Sequence, residues 1–233
     1  MAAHAQKLRQ GRPPLQERID RKTCILDTAL RLFAAQGIAG TTVAQIARAA
    51  QVTPAMIHYY FGNRDGLVEH LVRERLAPCL HHIWLDMPEE DLRCPRRMIC
   101  GLVDRLLDVV EKIPELPDLW SREILNAGGQ LRHMILEHFP RGRLEQITQH
   151  LSHAQGQGLL NSKVHPALTL TSIIAVVMLP LAGREVLQQA FAASIPGRQT
   201  LRRHAIALLL DGLCLPAAST DPASTPDTDK DKA

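Results

Sequence analysis

Apolar residues recur along most of this chain three or four positions apart, and no stretch alternates strictly between apolar and polar residues. The first such pattern places Ile25, Ala29 and Phe33 on one stripe and predicts a helix over residues 15–36. Gly37 follows directly and supplies the stop. Similar stripes recur further along, so the sequence predicts an all-α fold in which proline and glycine separate the helices.

Two short helices are predicted next, over residues 42–49 and 53–60, with about three residues between them. Thr42 and Gln45 form a capping-box pattern that opens the first, and a second threonine followed by proline opens the other. This is the spacing of a helix-turn-helix unit, whose apolar residues pack against the preceding helix. The second short helix then stays exposed and can enter a major groove of DNA.

The remaining two thirds of the chain predict further helices broken by proline. Residues 96–113 and 201–213 each carry one apolar stripe, as an ordinary core helix does. A helix over residues 166–189 is apolar on most of its faces and must therefore be covered on both sides. Its second cover is either another copy of the chain or a large core within one copy.

The two ends of the chain are polar. Residues 1–14 end in Gly-Arg-Pro-Pro and predict a flexible basic arm, because two prolines stop a helix there. Residues 215–233 are rich in Pro, Ser, Thr and Asp, and this composition predicts a disordered tail.

Charge divides unevenly along the sequence. Residues 1–75 hold eleven Lys and Arg against six Asp and Glu, a net of +5, whereas the remainder holds sixteen against eighteen, a net of −2. A basic first third favours a polyanionic partner such as nucleic acid, although a solvated surface produces the same bias.

Cysteine usage and the length of the apolar runs indicate the cellular compartment in which the protein resides. The five cysteines form no CxxC pair, which is typical of reduced thiols in a cytoplasm. The first ten residues contain no secretory signal, and the longest apolar run is shorter than the roughly 18–20 residues of a membrane span. We therefore expect a cytoplasmic protein with no membrane partner.

Four stretches of the sequence together resemble one family. They read CILDTALRLFAAQG over residues 24–37, TTVAQIARAA over 41–50, VTPAMIHYYF over 52–61 and NRDGL over 63–67. Residues 17–75 as a whole resemble the TetR family of transcriptional regulators. The resemblance implies an all-α homodimer with a three-helix DNA-binding domain, here residues 15–75, and a larger effector-binding and dimerisation domain, here residues 76–214. It also implies a repressor that a small-molecule ligand releases from a palindromic operator.

The resemblance further implies which residues contact DNA. Thr42 and Arg64 match positions that contact phosphate. Separately, Gly11-Arg12-Pro13 resembles the core of an arm whose arginine enters a narrow A·T minor groove, with a disordered leader as the alternative. The remaining DNA-binding residues lie in or beside the two short helices: Gln45, Thr53, Pro54, Ala55, Met56, His58, Tyr59 and Tyr60. Ala55 and Met56 are apolar and favour contacts with thymine methyl groups.

The last two thirds of the chain contain the residues that we expect to contact a ligand and the partner subunit. Tryptophan and methionine line adaptable apolar cavities, and a nearby polar patch can face the same space. The candidate ligand-binding residues are Trp84, Met98, Trp120, Arg122, Asn126, Met134 and Met178. The resemblance assigns the helices over 166–189 and 201–213 to a four-helix dimer bundle, with interface residues Ile173, Val177, Leu181, Ile206, Leu209 and Leu210.

Two other functions remain open at this point. Ala44 and Gln51 depart from the family pattern, so the chain could be an effector-binding or interaction protein whose DNA-binding domain is degenerate. Cys79 with His82, and His150 with His153, are spaced to give two metal ligands each, which leaves a metal or thiol sensor as an alternative. No nucleophile motif, phosphate-binding loop or metalloprotease motif is present, so we expect neither an enzyme nor a cofactor.

Overall fold

The computed structural model of the protein describes residues 15–192 and 197–214. The predicted basic arm, with Arg12, and the predicted tail lie outside the described residues. The first helices are α1 (Leu15–Gln36), α2 (Val43–Ala49), α3 (Pro54–Phe61), α4 (Arg64–Leu71), α5 (Ala77–Trp84), α6 (Glu89–Leu92) and α7 (Pro95–Lys112). They are followed by α8 (Leu116–Leu119), α9 (Leu131–Glu137), α10 (Arg141–Gly156), α11 (Pro166–Ala182), α12 (Arg184–Phe191) and α13 (Arg198–Leu213).

The fold is all-α, as predicted. Across residues 15–192 and 197–214 no strand forms, and a single isolated bridge pairs Leu160 with Cys214. α2 and α3 form a helix-turn-helix unit, and α1 and α4 pack against it. The remaining helices form a larger helical body. Gly37, with φ at +79°, ends α1 because its left-handed backbone suits a residue without a Cβ atom.

Two segments have the wider π-helical hydrogen-bonding pattern. Val72–Leu76 joins α4 to α5 and makes one continuous helical path from the helix-turn-helix unit into the larger body. Trp120–Leu125 extends α8 in the same way and ends at Asn126. Single π-helical turns are uncommon and frequently occur at functional sites.

In the larger body, α13 packs on α7 and α11. Ion pairs along one side of the α7–α13 contact join Arg202 to Asp104, and Arg198 to both Asp108 and Glu111. The carboxylates all lie on α7 and the arginines all lie on α13, so the pairs fix the register of the two helices.

The predicted helix over residues 166–189 is two helices. α11 ends at Ala182, Gly183 separates it from α12, and the two helix axes meet at an angle of 65°. Pro180 lies inside α11, about one turn before the break. Among the described residues no single helix has the length and apolar composition of a membrane span. α11 and α12 together have that length and composition, but the pair is bent.

Two buried clusters form the core. One fills the larger body and centres on α7, α11 and α13. The other fills the space between α1, α2, α3 and α4, and it also takes in Ile113, Leu119, Leu131 and Ile135 from the following helices. The core of the helix-turn-helix unit is therefore shared with α8 and α9, and the division at residues 75 and 76 remains a prediction.

Candidate nucleic-acid interface

The start of α2 is fixed by the predicted capping box. The Gln45 backbone N–H donates to Thr42 Oγ1 at 3.2 Å, and the Thr42 backbone N–H donates to Gln45 Oε1 at 2.7 Å. Each side chain thus satisfies an amide that the first helical turn leaves without a partner. Thr42 is exposed and Gln45 is half-buried, so the Gln45 amide nitrogen can still donate to an oxygen outside the protein.

The turn between α2 and α3 contains a left-handed residue. Gln51 has φ at +55°, a left-handed conformation that few residues with a Cβ atom adopt. Val52 N–H then donates to the Ala47 carbonyl at 2.9 Å, and Thr53 Oγ1 accepts from Met56 N–H at 3.3 Å to cap α3. The turn is therefore fully formed although glutamine is less suited to it than glycine.

α3 is divided cleanly into a buried side and an exposed side. Ile57 and Phe61 are 0% and 5% exposed and hold the helix on the core that α1 and α4 share with it. The side chains facing outward from its first turns are Thr53, Pro54, Ala55, His58 and Tyr59, and Met56 is half-buried beside them. All six belong to the predicted DNA-binding set, which the structure thereby brings together on one surface.

The aromatic end of α3 is held rigidly. Tyr60 is half-buried and packs against the core, whereas Tyr59 is 62% exposed. The His58 ring lies with Nδ1 2.9 Å from the Gly62 carbonyl, one turn further on, and with Nδ1 protonated it donates there. Two predicted contact residues thus project from α3 with their orientation limited by neighbours.

Arg64 lies at the start of α4 and reaches back to the turn between α1 and α2. Its guanidinium donates to the carbonyl of Ile38, and its Nε is buried without a hydrogen-bond partner in the described part of the chain. The side chain is only partly exposed. Its position is therefore set by the protein, and its remaining N–H groups can serve a phosphate.

A second site is an apolar cavity of about 80 Å³ inside the larger body. Trp84, Trp120 and Met178, three of the predicted ligand-binding residues, line it together. The sequence did not single out the other lining residues, because their apolar stripes are typical of any core: Leu76, Cys79, Leu80, Ile83, Leu106, Leu116, Ile124, Ile135, Phe139 and Ile174.

The cavity offers very little polarity. Burial raises the pKa of the Cys79 thiol, and the thiol donates to the Arg75 carbonyl at 3.1 Å. The Trp84 indole Nε1 is buried and has no hydrogen-bond partner among the described residues. A buried N–H group without an acceptor is costly, and this one belongs to a residue of the cavity lining.

Four predicted ligand-binding residues do not line this cavity. Met98 is fully buried in the core of the larger body, and Met134 lines a surface groove between α4 and α9. Arg122 and Asn126 are exposed. For these four, contact with a ligand stays a prediction, because spacing on a helix does not tell which side faces a cavity.

The predicted dimer-interface residues fall into two groups that differ in burial. Ile173, Val177 and Leu209 are 1%, 0% and 4% exposed within one chain, so they are core residues and not interface residues. Leu181, Ile206 and Leu210 are partly buried beside them. The sequence could not separate core residues from interface residues on α11. This helix is apolar on most faces, so its sequence does not show which face packs within the same chain. Large apolar side chains that are exposed near them are Leu168, Leu179, Val186, Phe191 and Leu208.

The two pairs proposed as metal ligands have other neighbours. His82 lies 3.0 Å from Asp86 and 3.6 Å from Asp108, and His153 lies 2.9 Å from the Gln157 amide. Within residues 15–192 and 197–214, no three His, Cys, Asp or Glu side chains come together in a way that could hold a metal ion.

Comparison with known proteins finds a family match for the N-terminal region. Residues 25–71 match the family model described as bacterial regulatory proteins, tetR family. The probable HTH-type transcriptional regulator YttP of Bacillus subtilis is 44% identical over 57 residues, which are 24% of this chain and 28% of that protein. The HTH-type transcriptional regulator BetI of Burkholderia thailandensis is 34% identical over 74 residues, which are 30% of this chain and 38% of that protein. The matched region thus spans less than two fifths of either relative.

Solved structures extend the similarity to the larger body at the level of the fold. The hemolysin II transcriptional regulator HlyIIR superposes with a TM-score of 0.59 over 82% of this chain and 97% of its own, at 21% identity. The ketosteroid transcriptional regulator KstR2 of Mycobacterium tuberculosis superposes with a TM-score of 0.63 over 84% of this chain and 96% of its own, at 18% identity.

Proposed function

Because residues 25–71 match the family model of tetR-family bacterial regulatory proteins, we propose that this chain is a transcriptional regulator that binds duplex DNA through α3. The observation that carries the proposal is the division of α3 into a buried and an exposed side. Ile57 and Phe61 fix the helix, and the residues around Ala55 and Tyr59 project from the surface. A protruding helix of this kind fits the major groove, where base edges differ between all four base pairs.

The exposed chemistry indicates how the groove is read. Ala55 and the half-buried Met56 offer methyl groups, which suit thymine methyls, while His58 and Tyr59 offer polar ring atoms. Thr42, Gln45, Thr53, Pro54 and Tyr60 flank this surface, and Arg64 and Arg12 supply positive charge for phosphates. Specificity then comes from few base contacts, and much of the affinity comes from the backbone.

The regulator acts as a homodimer whose interface is formed by the outer sides of α11 and α13. Leu168 and Leu179 lie eleven positions apart on α11, which is close to three full turns, so both project from the same side. They are each 62% exposed, and Leu208 on the adjacent α13 is 55% exposed. Large apolar side chains grouped on neighbouring helices favour a protein partner over water, and a second copy presents a matching surface.

DNA binding is tested with the fragment upstream of the chain's own gene. The expected result is a footprint over a palindrome, with affinity that falls steeply as salt rises. A folded protein that binds neither this fragment nor non-specific duplex at 50 mM salt would instead support the degenerate DNA-binding domain. Ala55→Gln is the matched variant within the reading surface: we expect it to change which bases are preferred and to leave non-specific binding in place.

A ligand in the apolar cavity releases the DNA and so relieves repression. Among the described residues, those that line the cavity include no charged side chain, and Trp84 contributes a buried N–H that lacks a partner. A charged ligand would lose its hydration there without gaining a partner. The effector is therefore a small, uncharged, largely apolar molecule with one hydrogen-bond acceptor.

Three small probes of similar shape test this ligand class by the shift in melting temperature. Acetophenone has a carbonyl acceptor, ethylbenzene has none, and benzoate carries a charge. We expect acetophenone to stabilise the protein most and benzoate not at all. Trp84→Phe removes the N–H but keeps an aromatic wall, so acetophenone should lose its advantage over ethylbenzene in that variant. Equal shifts for benzoate and acetophenone would refute the assignment.

A further inference from the structure

Glu123 is a buried carboxylate that joins the larger body to the DNA-binding unit. It lies in the π-helical segment Trp120–Leu125 and is 5% exposed. Its Oε1 accepts from the Ile38 backbone N–H at 2.8 Å, and its Oε2 accepts from the Gln130 backbone N–H at 2.9 Å. A carboxylate this deeply buried is tolerated because both oxygens accept charge-assisted hydrogen bonds.

The bond to Ile38 continues to Arg64. Ile38 lies between α1 and α2, and its own side chain is fully buried. Its N–H is held by Glu123, and its carbonyl accepts from the Arg64 guanidinium. A Cβ atom at Gly37 would lie 3.2 Å from Glu123 Oε1, so the carboxylate approaches this backbone closely. One peptide segment thus connects the buried acid to a proposed phosphate contact.

On its other side, the same π-helical segment forms part of the cavity wall. Trp120 and Ile124 line the cavity, and Glu123 is the immediate neighbour of Ile124 in the chain. A guest that displaces either wall residue must therefore move the backbone that carries the carboxylate. A close-packed interior transmits such a shift, because it has little free volume to absorb it.

We propose that Glu123 is the positioning residue that couples the apolar cavity to Arg64. With the cavity empty, Glu123 holds Ile38, and Ile38 holds Arg64 in its place at the start of α4. With the cavity occupied, the π-helical segment shifts, the bond from Ile38 to Glu123 weakens, and Arg64 loses its fixed position. This inference rests on the proposed function, in which cavity occupancy lowers the affinity for DNA. By thermodynamic reciprocity, DNA must lower the affinity for the guest by the same factor.

Glu123→Gln tests the coupling, with Glu145→Gln on the exposed side of α10 as the matched control. The amide keeps one accepting oxygen but turns an NH2 group toward the other N–H, so one of the two bonds is lost. The measurement is the dissociation constant for a 30-base-pair duplex at low salt, with and without saturating acetophenone. We expect acetophenone to weaken DNA binding by about fivefold or more in the wild type and in Glu145→Gln. In Glu123→Gln that factor should fall toward one, with acetophenone affinity within about twofold of wild type.

An unchanged factor in Glu123→Gln would overturn the proposal, as would a factor of one in a wild type that binds both DNA and acetophenone. Hydrogen exchange at the Ile38 amide in the wild type gives a second readout that needs neither the variant nor DNA. We expect faster exchange at Ile38 when acetophenone is bound, and unchanged exchange would overturn the coupling even if DNA binding failed altogether. Ile174→Phe fills the cavity without any ligand, so the same increase in exchange is expected in that variant if acetophenone does not bind.

Discussion

Tyr59 meets Tyr60 edge to face, with ring centroids 5.2 Å apart and ring planes at 74°. Tyr60 is anchored in the core, and Tyr59 projects from α3, so the buried ring limits the positions available to the exposed one. Edge-to-face pairs contribute about 0.5–1.5 kcal/mol beyond the area they bury. Because the contact already restricts the Tyr59 ring in the free protein, less side-chain conformational entropy is lost when Tyr59 binds DNA.

Tyr59→Ala should weaken DNA binding much more than it weakens the fold. Loss of a contact in the groove is worth about 1–3 kcal/mol, so we expect a loss of about five- to a hundredfold in affinity by fluorescence anisotropy. Tyr60→Ala is the matched variant and should also lower the free energy of unfolding, because that ring packs on the core. DNA affinity unchanged in Tyr59→Ala would remove this residue from the interface.

Gln51→Gly should stabilise the protein by about 1 kcal/mol, measured by urea denaturation. Gln51 occupies a left-handed conformation that costs a residue with a Cβ atom about 1–2 kcal/mol, and glycine avoids most of this cost. Ala44→Gly within α2 is the control and should destabilise the protein by about 1 kcal/mol, because its backbone is helical. A destabilised Gln51→Gly would show that the glutamine side chain supports the turn.

The sequence predicted those features that depend on local rules, and it failed where the answer depends on packing. Thr42 with Gln45 caps α2 and Thr53 caps α3 as expected, since a cap needs only its own few residues. The inner side of α11 was not predictable, because a helix that is apolar all round has no periodic signal. Glu123 was not among the predicted site residues, and only the fold shows its contact with Ile38, 85 positions away.

Leu208→Asp should convert the dimer to monomers without unfolding it. The side chain is 55% exposed in one chain, so a carboxylate there is solvated in the monomer but buried in the proposed interface. Leu209→Asp is the contrasting variant: that residue is 4% exposed, and a charge should unfold the chain. Sedimentation reports the mass and circular dichroism reports the fold. A dimeric Leu208→Asp would place the interface elsewhere.

Acid should loosen the contact between α7 and α13. Burial by itself raises the pKa of Asp108, but the hydrogen bond and charge of Arg198 outweigh it and hold that pKa below its usual 3.8. A lowered carboxyl pKa means that the unfolded chain binds the proton more tightly. The stabilisation is therefore complete above about pH 5 and is lost as the pH falls through the folded-state value.

Asp108→Asn should remove this part of the acid sensitivity. We expect the free energy of unfolding of the variant to fall less steeply than that of wild type between pH 5 and pH 3, measured by denaturant titration at each pH. Asp211→Asn, at an exposed position near the end of α13, is the control and should follow the wild type. Parallel curves for Asp108→Asn and wild type would show that the ion pair contributes nothing measurable.

The central claim is that α3 and the start of α4 bind duplex DNA, and the salt dependence of binding tests it most directly. The affinity of the wild type should fall linearly on a log–log plot against salt, with a slope of about −0.9 for each phosphate contacted. Arg64→Gln should reduce the magnitude of that slope by about 0.9 for each protomer on the duplex, whereas Arg93→Gln, exposed in the larger body, should leave it unchanged. Affinity that does not depend on salt, or equal slopes for wild type and Arg64→Gln, would contradict the account.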